Sequence, residues 1–151
     1  MRTLLKYWLP VVLWLGLIFI GSTDLLSAEH TSRLIGPILR WFNPHVSTAT
    51  IAHVQFVVRK IGHLTEYAIL GILLWRAFWR GSSWHFRMSI LFVLALFGCA
   101  VFAATDEFHQ SFVPSRTASP IDVTIDIFGA LIGLMFCVAA ARRKVLKEKN
   151  V

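Results

Sequence analysis

Residues Ile121–Ala141 read IDVTIDIFGALIGLMFCVAAA, and Arg142-Arg143-Lys144 follows at once. At about 1.5 Å rise per residue this stretch reaches about 30 Å, the thickness of a bilayer's hydrocarbon core. A run of that length, closed by basic residues, is a membrane span with its cationic end at an aqueous boundary. Its first half is not uniformly apolar. Asp122 and Asp126 are four apart, and Gly129 and Gly133 continue the same helical face. A carboxylate at membrane depth is costly unless paired or hydrated, so this face needs polar partners on another helix. The small residues beyond it let that helix approach closely.

Three further apolar runs lie upstream. Tyr7–Leu26 follows Arg2 and Lys6 and is read as a span rather than a cleaved leader, although Ser27-Ala28 would suit a cleavage site. A long helical stretch runs from about Ser47 to Trp79 and is closed by Gly81-Ser82-Ser83. The third run is Met88–Thr105. Between the first two, Leu34, Ile35, Ile38, Leu39, Trp41 and Phe42 recur at helical spacing, which predicts a short interfacial helix stopped by Asn43-Pro44.

The expected fold is therefore all-α, a polytopic membrane four-helix bundle in one domain over residues 1–151. The spans are placed at about 7–26, 54–76, 88–106 and 121–141.

Composition agrees. The hydrophobic fraction is 56% and mean hydropathy is +0.66, too apolar for an ordinary soluble domain. The net charge of +7 does not imply nucleic acid as a partner, because the basic residues flank apolar runs and form no stripe along a phosphate track. Several of the tryptophans stand near run ends, as in an aromatic belt. Cys99 and Cys137 lie inside apolar runs and read as packing residues.

Lysine and arginine are densest at the N-terminus, between the second and third spans, and in the C-terminal tail. The positive-inside rule then places both termini in the cytoplasm, with the protein multi-pass in the cytoplasmic (inner) membrane. Measured from Arg76, Glu66 lies about 15 Å, His63 about 20 Å and Arg59 about 26 Å above the inner boundary. Measured from Arg87, Asp106 lies about 28 Å above that boundary, and measured from Arg142, Asp126 lies about 24 Å and Asp122 about 30 Å above it. Arg59, Lys60, His63, Glu66, Asp106, Glu107, Asp122 and Asp126 thus collect in the outer half of the membrane, around an expected polar pocket.

Three chemistries compete for that layer. A structural ion-pair network would join Arg59 or Lys60 to Asp106 or Asp122. A metal could use His63, Glu66, His109 and the aspartates, but H-E-x-x-H and C-x-x-C are absent and adjacent cations oppose a divalent ion, so no metal ligand is assigned. Acid–base or phosphate chemistry could use His63 beside Glu66, with Arg59, Lys60 and Arg116 gripping an anion. His30, His45, His53 and His85 read as loop or interface histidines, and His109 as a solvated neighbour of the layer.

Two segments also resemble a known family. Arg59-Lys60-Ile61-Gly62-His63-Leu64-Thr65-Glu66-Tyr67 resembles the K-x-x-H-x-x-E-Y signature of the VanZ-like membrane proteins. Asp106-Glu107-Phe108-His109-Gln110-Ser111-Phe112-Val113-Pro114-Ser115-Arg116, followed by Asp122 and Gly129, resembles that family's D-E-x-x-Q-x-F-x-P-x-R…D-x-x-x-N-x-x-G block. Asp126 stands where the family usually carries asparagine. The family takes its name from a teicoplanin-resistance protein, so the resemblance implies an envelope role linked to glycopeptide tolerance. It implies no settled activity and no cofactor.

The leading expectation is an outward-facing pocket that binds, and as an enzyme would modify, an anionic lipid-linked envelope intermediate. His63, Glu66, Asp106 and Asp122 would carry the chemistry. Arg59, Lys60, Tyr67, Glu107, Gln110, Arg116 and Asp126 would hold the ligand. Its expected partners are membrane lipids and a lipid-linked envelope precursor, with oligomeric state open. The alternative is a non-catalytic binding or assembly protein whose charged layer is structural. Transport is disfavoured because the inner halves of the last three spans are nearly all apolar.

Overall fold

The computed structural model describes residues 2–23, 28–81, 87–114, 116 and 118–149. Five helices follow one another: α1 (Arg2–Gly21), α2 (Ala28–Phe42), α3 (Thr48–Gly81), α4 (Met88–Gln110) and α5 (Pro120–Lys149). No strand occurs among the described residues. The all-α membrane architecture expected from the sequence is the one observed. The count of four spans is approximate. α1, α4 and α5 are each long and apolar enough to cross a bilayer, whereas α3 is the longest helix but is diluted by its charged residues.

Helix boundaries moved where polar residues extend an apolar run. α4 continues past Thr105 to Gln110, which puts Asp106, Glu107 and Gln110 on the helix itself. α5 continues through the basic tail to Lys149. α2 starts at Ala28, before the predicted stretch, tolerates Pro37, and ends at Phe42 as Asn43-Pro44 requires. Its Leu34, Ile38, Trp41 and Phe42 are all exposed, as an interfacial helix demands. The expected continuation of the first span to Leu26, Ser82-Ser83 of the linker, and His85 lie outside the described residues.

α3 is the hub of the bundle. Its tightest seam is with α5, where a Cβ on Gly129 would sit 2.2 Å from the Leu64 carbonyl oxygen and one on Gly133 would sit 2.1 Å from that of Ala68. Only glycine fits such an approach. The partners advance together along both helices, so α3 and α5 run parallel. α1 runs antiparallel to α3: Trp14 Nε1 donates to the Glu66 carbonyl at 2.9 Å, while Trp8 packs against Gly81 at the other end. Tyr67, Leu70, Leu74, Ala95, Cys99, Ala130 and Leu134 form the dry core between these helices. Cys99 and Cys137 are free thiols, and Cys99 is fully buried.

The bundle has two unlike ends. At one, Lys6 and Arg76 both lie over the Tyr7 ring, at 5.7 Å and 5.2 Å from its centroid. The other end gathers the polar side chains of α1, α3, α4 and α5.

Candidate functional site

One ion pair and one histidine–carboxylate hydrogen bond bridge the α3–α5 seam. Lys60 Nζ meets Asp122 Oδ1, with the aspartate almost completely buried. One turn further in, His63 Nδ1 lies 3.1 Å from Asp126 Oδ1, and Asp126 is fully buried. The spacings 60/63 on α3 and 122/126 on α5 each advance about one turn, so a parallel pair brings both contacts into register. The glycines at 129 and 133 continue that face and draw the backbones close enough for the short Asp side chains to reach.

A second polar group joins α1 to α4. Ser22 Oγ donates to Asp106 Oδ1, and Gln110 Nε2 donates to Asp106 Oδ2 at 3.0 Å. Asp106 therefore has Ser22 and Gln110 as hydrogen-bond partners, while Lys60 pairs with Asp122. Arg116 Nε donates to the Thr23 carbonyl at 3.1 Å, and Nη2 reaches the carbonyls of Gly21 and Thr23, capping the end of α1. The Gly21 carbonyl is one of the acceptors that a helix C-terminus leaves without intrahelical partners, and Thr23 lies just beyond it. Glu107 Oε2 accepts from the Ser119 backbone N–H at 2.8 Å and so ties α4 to the start of α5.

Between these groups lies a cavity of about 160 Å³, lined by Ser22, Arg59, His63, Glu66, Gln110 and Arg116 among others. That volume admits several waters or a small anionic group. Arg59 Nε is buried with no hydrogen-bond partner among the described residues. On the far side of the Ser22–Asp106–Gln110 cluster, an apolar groove of about 570 Å³ runs between α1 and α4. Its walls include Leu15, Ile18, Phe102 and Phe112, and Tyr67, Asp106 and His109 reach it. The Tyr67 hydroxyl and His109 Nδ1 are buried without partners among the described residues. His109 is half-buried, and its ring packs on Phe19 at 4.4 Å between centroids.

A family model described as VanZ/LLP1 matches residues 7–141. The chain belongs to the VanZ/LLP1 family. No curated protein and no solved structure matches it. The VanZ-like signature residues Lys60, His63, Glu66 and Tyr67 fall on α3, and Asp106, Glu107 and Gln110 on α4. Asp122 and Asp126 fall on α5, and Arg116 in the turn before it. Arg59, His63, Glu66, Gln110 and Arg116 line one cavity. Lys60 and Asp122 pair with each other, and Tyr67 and Asp106 face the groove. Asp126, the departure from the VanZ-like pattern, is the partner of His63.

Sequence reading missed the contribution of α1. Ser22 supplies a donor to Asp106, Gly21 and Thr23 supply acceptors to Arg116, and Trp14 binds the backbone at Glu66. The available signal was the polar triplet Gly21-Ser22-Thr23 closing an otherwise apolar run.

Proposed function

We propose that this VanZ/LLP1-family membrane protein binds an anionic, lipid-linked cell-envelope intermediate, with its headgroup at the α3 cavity and its chain in the α1–α4 groove. The observation that carries the reading is Arg59, a cavity-lining guanidinium whose buried Nε has no acceptor among the described residues. A guanidinium in a confined polar cavity is suited to a phosphate or carboxylate. Asp106 lines the apolar groove while bonding to Ser22 and Gln110 of the polar cavity, so head and tail subsites adjoin. Lys60, committed to Asp122, supports the site from behind rather than gripping the ligand.

His63 and Glu66 line the same cavity and would move protons on a bound headgroup. Asp126 would orient His63, while Asp106 and Asp122 hold the donors around it. The basic residues at the opposite end of the bundle support a cytoplasmic-membrane placement with both termini inside and the cavity outward. In that orientation the protein would act on an envelope precursor and affect glycopeptide tolerance.

The test is retention of phosphate-headed against zwitterionic lipids by protein in nanodiscs, with glycopeptide tolerance measured in the same cells. Arg59→Gln should weaken retention of the anionic lipid at least tenfold and leave the zwitterionic lipid unaffected. Equal retention of both lipids by wild type would sink the binding reading. Full tolerance in stably inserted His63→Ala and Glu66→Ala proteins would remove the catalytic one.

A second reading is favoured by the Lys60–Asp122 contact together with the glycine seam. In it the charged layer fixes the register of α3 on α5 and performs no chemistry. Exchange of the two charges separates the readings: recovery of function with stability favours the structural one.

A further inference from the structure

We propose that His63, Glu107 and Asp126 form a divalent-cation site where α3, α4 and α5 converge. Each residue offers one ligand atom, these atoms lie within 4.8 Å of one another, and all three residues are buried. The triad draws one residue from each of three helices, so it arises only in the folded bundle.

Three observations beyond proximity point to a cation. Among the described residues Glu107 Oε1 and Asp126 Oδ2 have no hydrogen-bond partner, although Asp126 has no exposed surface and Glu107 has 6%. A buried carboxylate oxygen without a donor is costly, and a metal ion removes that cost directly. Next, His63 Nδ1 and Asp126 Oδ1, hydrogen-bonded at 3.1 Å, already stand at the separation of adjacent ligands, so an ion could replace the shared proton without moving either residue far. Bonds of about 2.1 Å at tetrahedral or octahedral angles put neighbouring ligands about 3.0–3.4 Å apart. Finally, one of the adjacent cations that sequence alone sets against a metal, Lys60, is engaged elsewhere, paired with Asp122.

The donor set decides the class of ion. One imidazole nitrogen and two carboxylate oxygens suit zinc or manganese, whereas calcium takes six to eight oxygens. Three protein ligands leave coordination positions open, and His63 also lines the polar cavity. The site does not rest on the lipid-binding reading, which Arg59 carries, but it shares His63 and Asp126 with the acid–base one, and a bound ion would take His63 out of proton transfer.

The experiment uses the full chain in detergent, purified without a histidine tag and stripped with chelator. Zn²⁺ and Mn²⁺ are added by equilibrium dialysis and counted by elemental analysis. Wild type should hold about one equivalent per chain. His63→Ala, Glu107→Gln and Asp126→Asn should each weaken binding at least tenfold, while His53→Ala, altered on an exposed residue, should leave it unchanged. Co²⁺ gives a second readout on unmutated protein: a visible ligand-field spectrum of a low-symmetry nitrogen–oxygen site, abolished by competing Zn²⁺. No stoichiometric binding, a Co²⁺ spectrum like that of the free aqueous ion, or binding that survives all three ligand substitutions would overturn the proposal.

Discussion

Gly129 rides directly on the Leu64 carbonyl, so close that a methyl group there would lie 2.2 Å from that oxygen. The obstacle is backbone, which cannot swing aside as a side chain can. Gly129→Ala and Gly133→Ala should therefore each push α5 away from α3 and destabilise the protein by about 1–3 kcal/mol or more. Gly62→Ala meets nothing within 4 Å and should be neutral or slightly stabilising. Thermal unfolding of the three variants in one detergent checks the contrast. Equal stability of Gly129→Ala and Gly62→Ala would contradict the close seam.

The Lys60–Asp122 pair predicts a second pattern. Lys60→Met strands the buried Asp122 carboxylate, and losing one partner of a buried pair costs about 3–5 kcal/mol. The exchange Lys60→Asp with Asp122→Lys should recover a large part of that loss. Sequence alone also offered Asp106 as the partner of Lys60; a Lys60–Asp106 exchange should recover nothing. Recovery of function along with stability would favour the structural reading of the charged layer, while recovered stability without function would favour a chemical one.

Ser22 makes a third case. Removing its hydroxyl in Ser22→Ala leaves Asp106 Oδ1 short of a donor, at a cost of about 1–3 kcal/mol. Ser22→Thr keeps the donor and should retain most of the stability. Guest binding by a lipid probe, read alongside the melting temperature, shows whether Asp106 must be held in place for the ligand.

Trp14→Phe tests a smaller effect. It keeps an aromatic body but removes the N–H that reaches the Glu66 carbonyl across the bundle. The expected loss is about 0.5–1.5 kcal/mol, typical of a single hydrogen bond. Protection of α3 amides near Glu66 from hydrogen exchange should fall in step with it.

Much of this arrangement was legible before any coordinates. Apolar run lengths gave the helices, and the four-residue spacing of Asp122 and Asp126 with Gly129 and Gly133 gave the contact face of α5. Depth counted along each helix put His63 level with Asp126 to within a turn. What spacing could not supply was rotation about each helix axis, which decides that Lys60 meets Asp122 and not Asp106. The role of α1 was hidden for a related reason: Ser22 lies just past the helix, where hydropathy has already fallen and a polar residue looks like loop. The contact of His109 with Phe19 was hidden in the same way, because it joins α4 to α1 across the bundle.

The α1–α4 groove, with Tyr67 and Asp106 along it, sets the terms on which any hydrophobic guest arrives. Phe19, Phe102, Phe108 and Phe112 on its rim are all strongly exposed, as side chains facing hydrocarbon are. A molecule that travels by this route stays in its leaflet throughout. Occupancy is then governed by mole fraction in the lipid, not by molarity in the buffer. Dose–response curves for amphiphilic ligands should shift when lipid is added at constant ligand, and diluting the aqueous phase should leave them nearly unchanged.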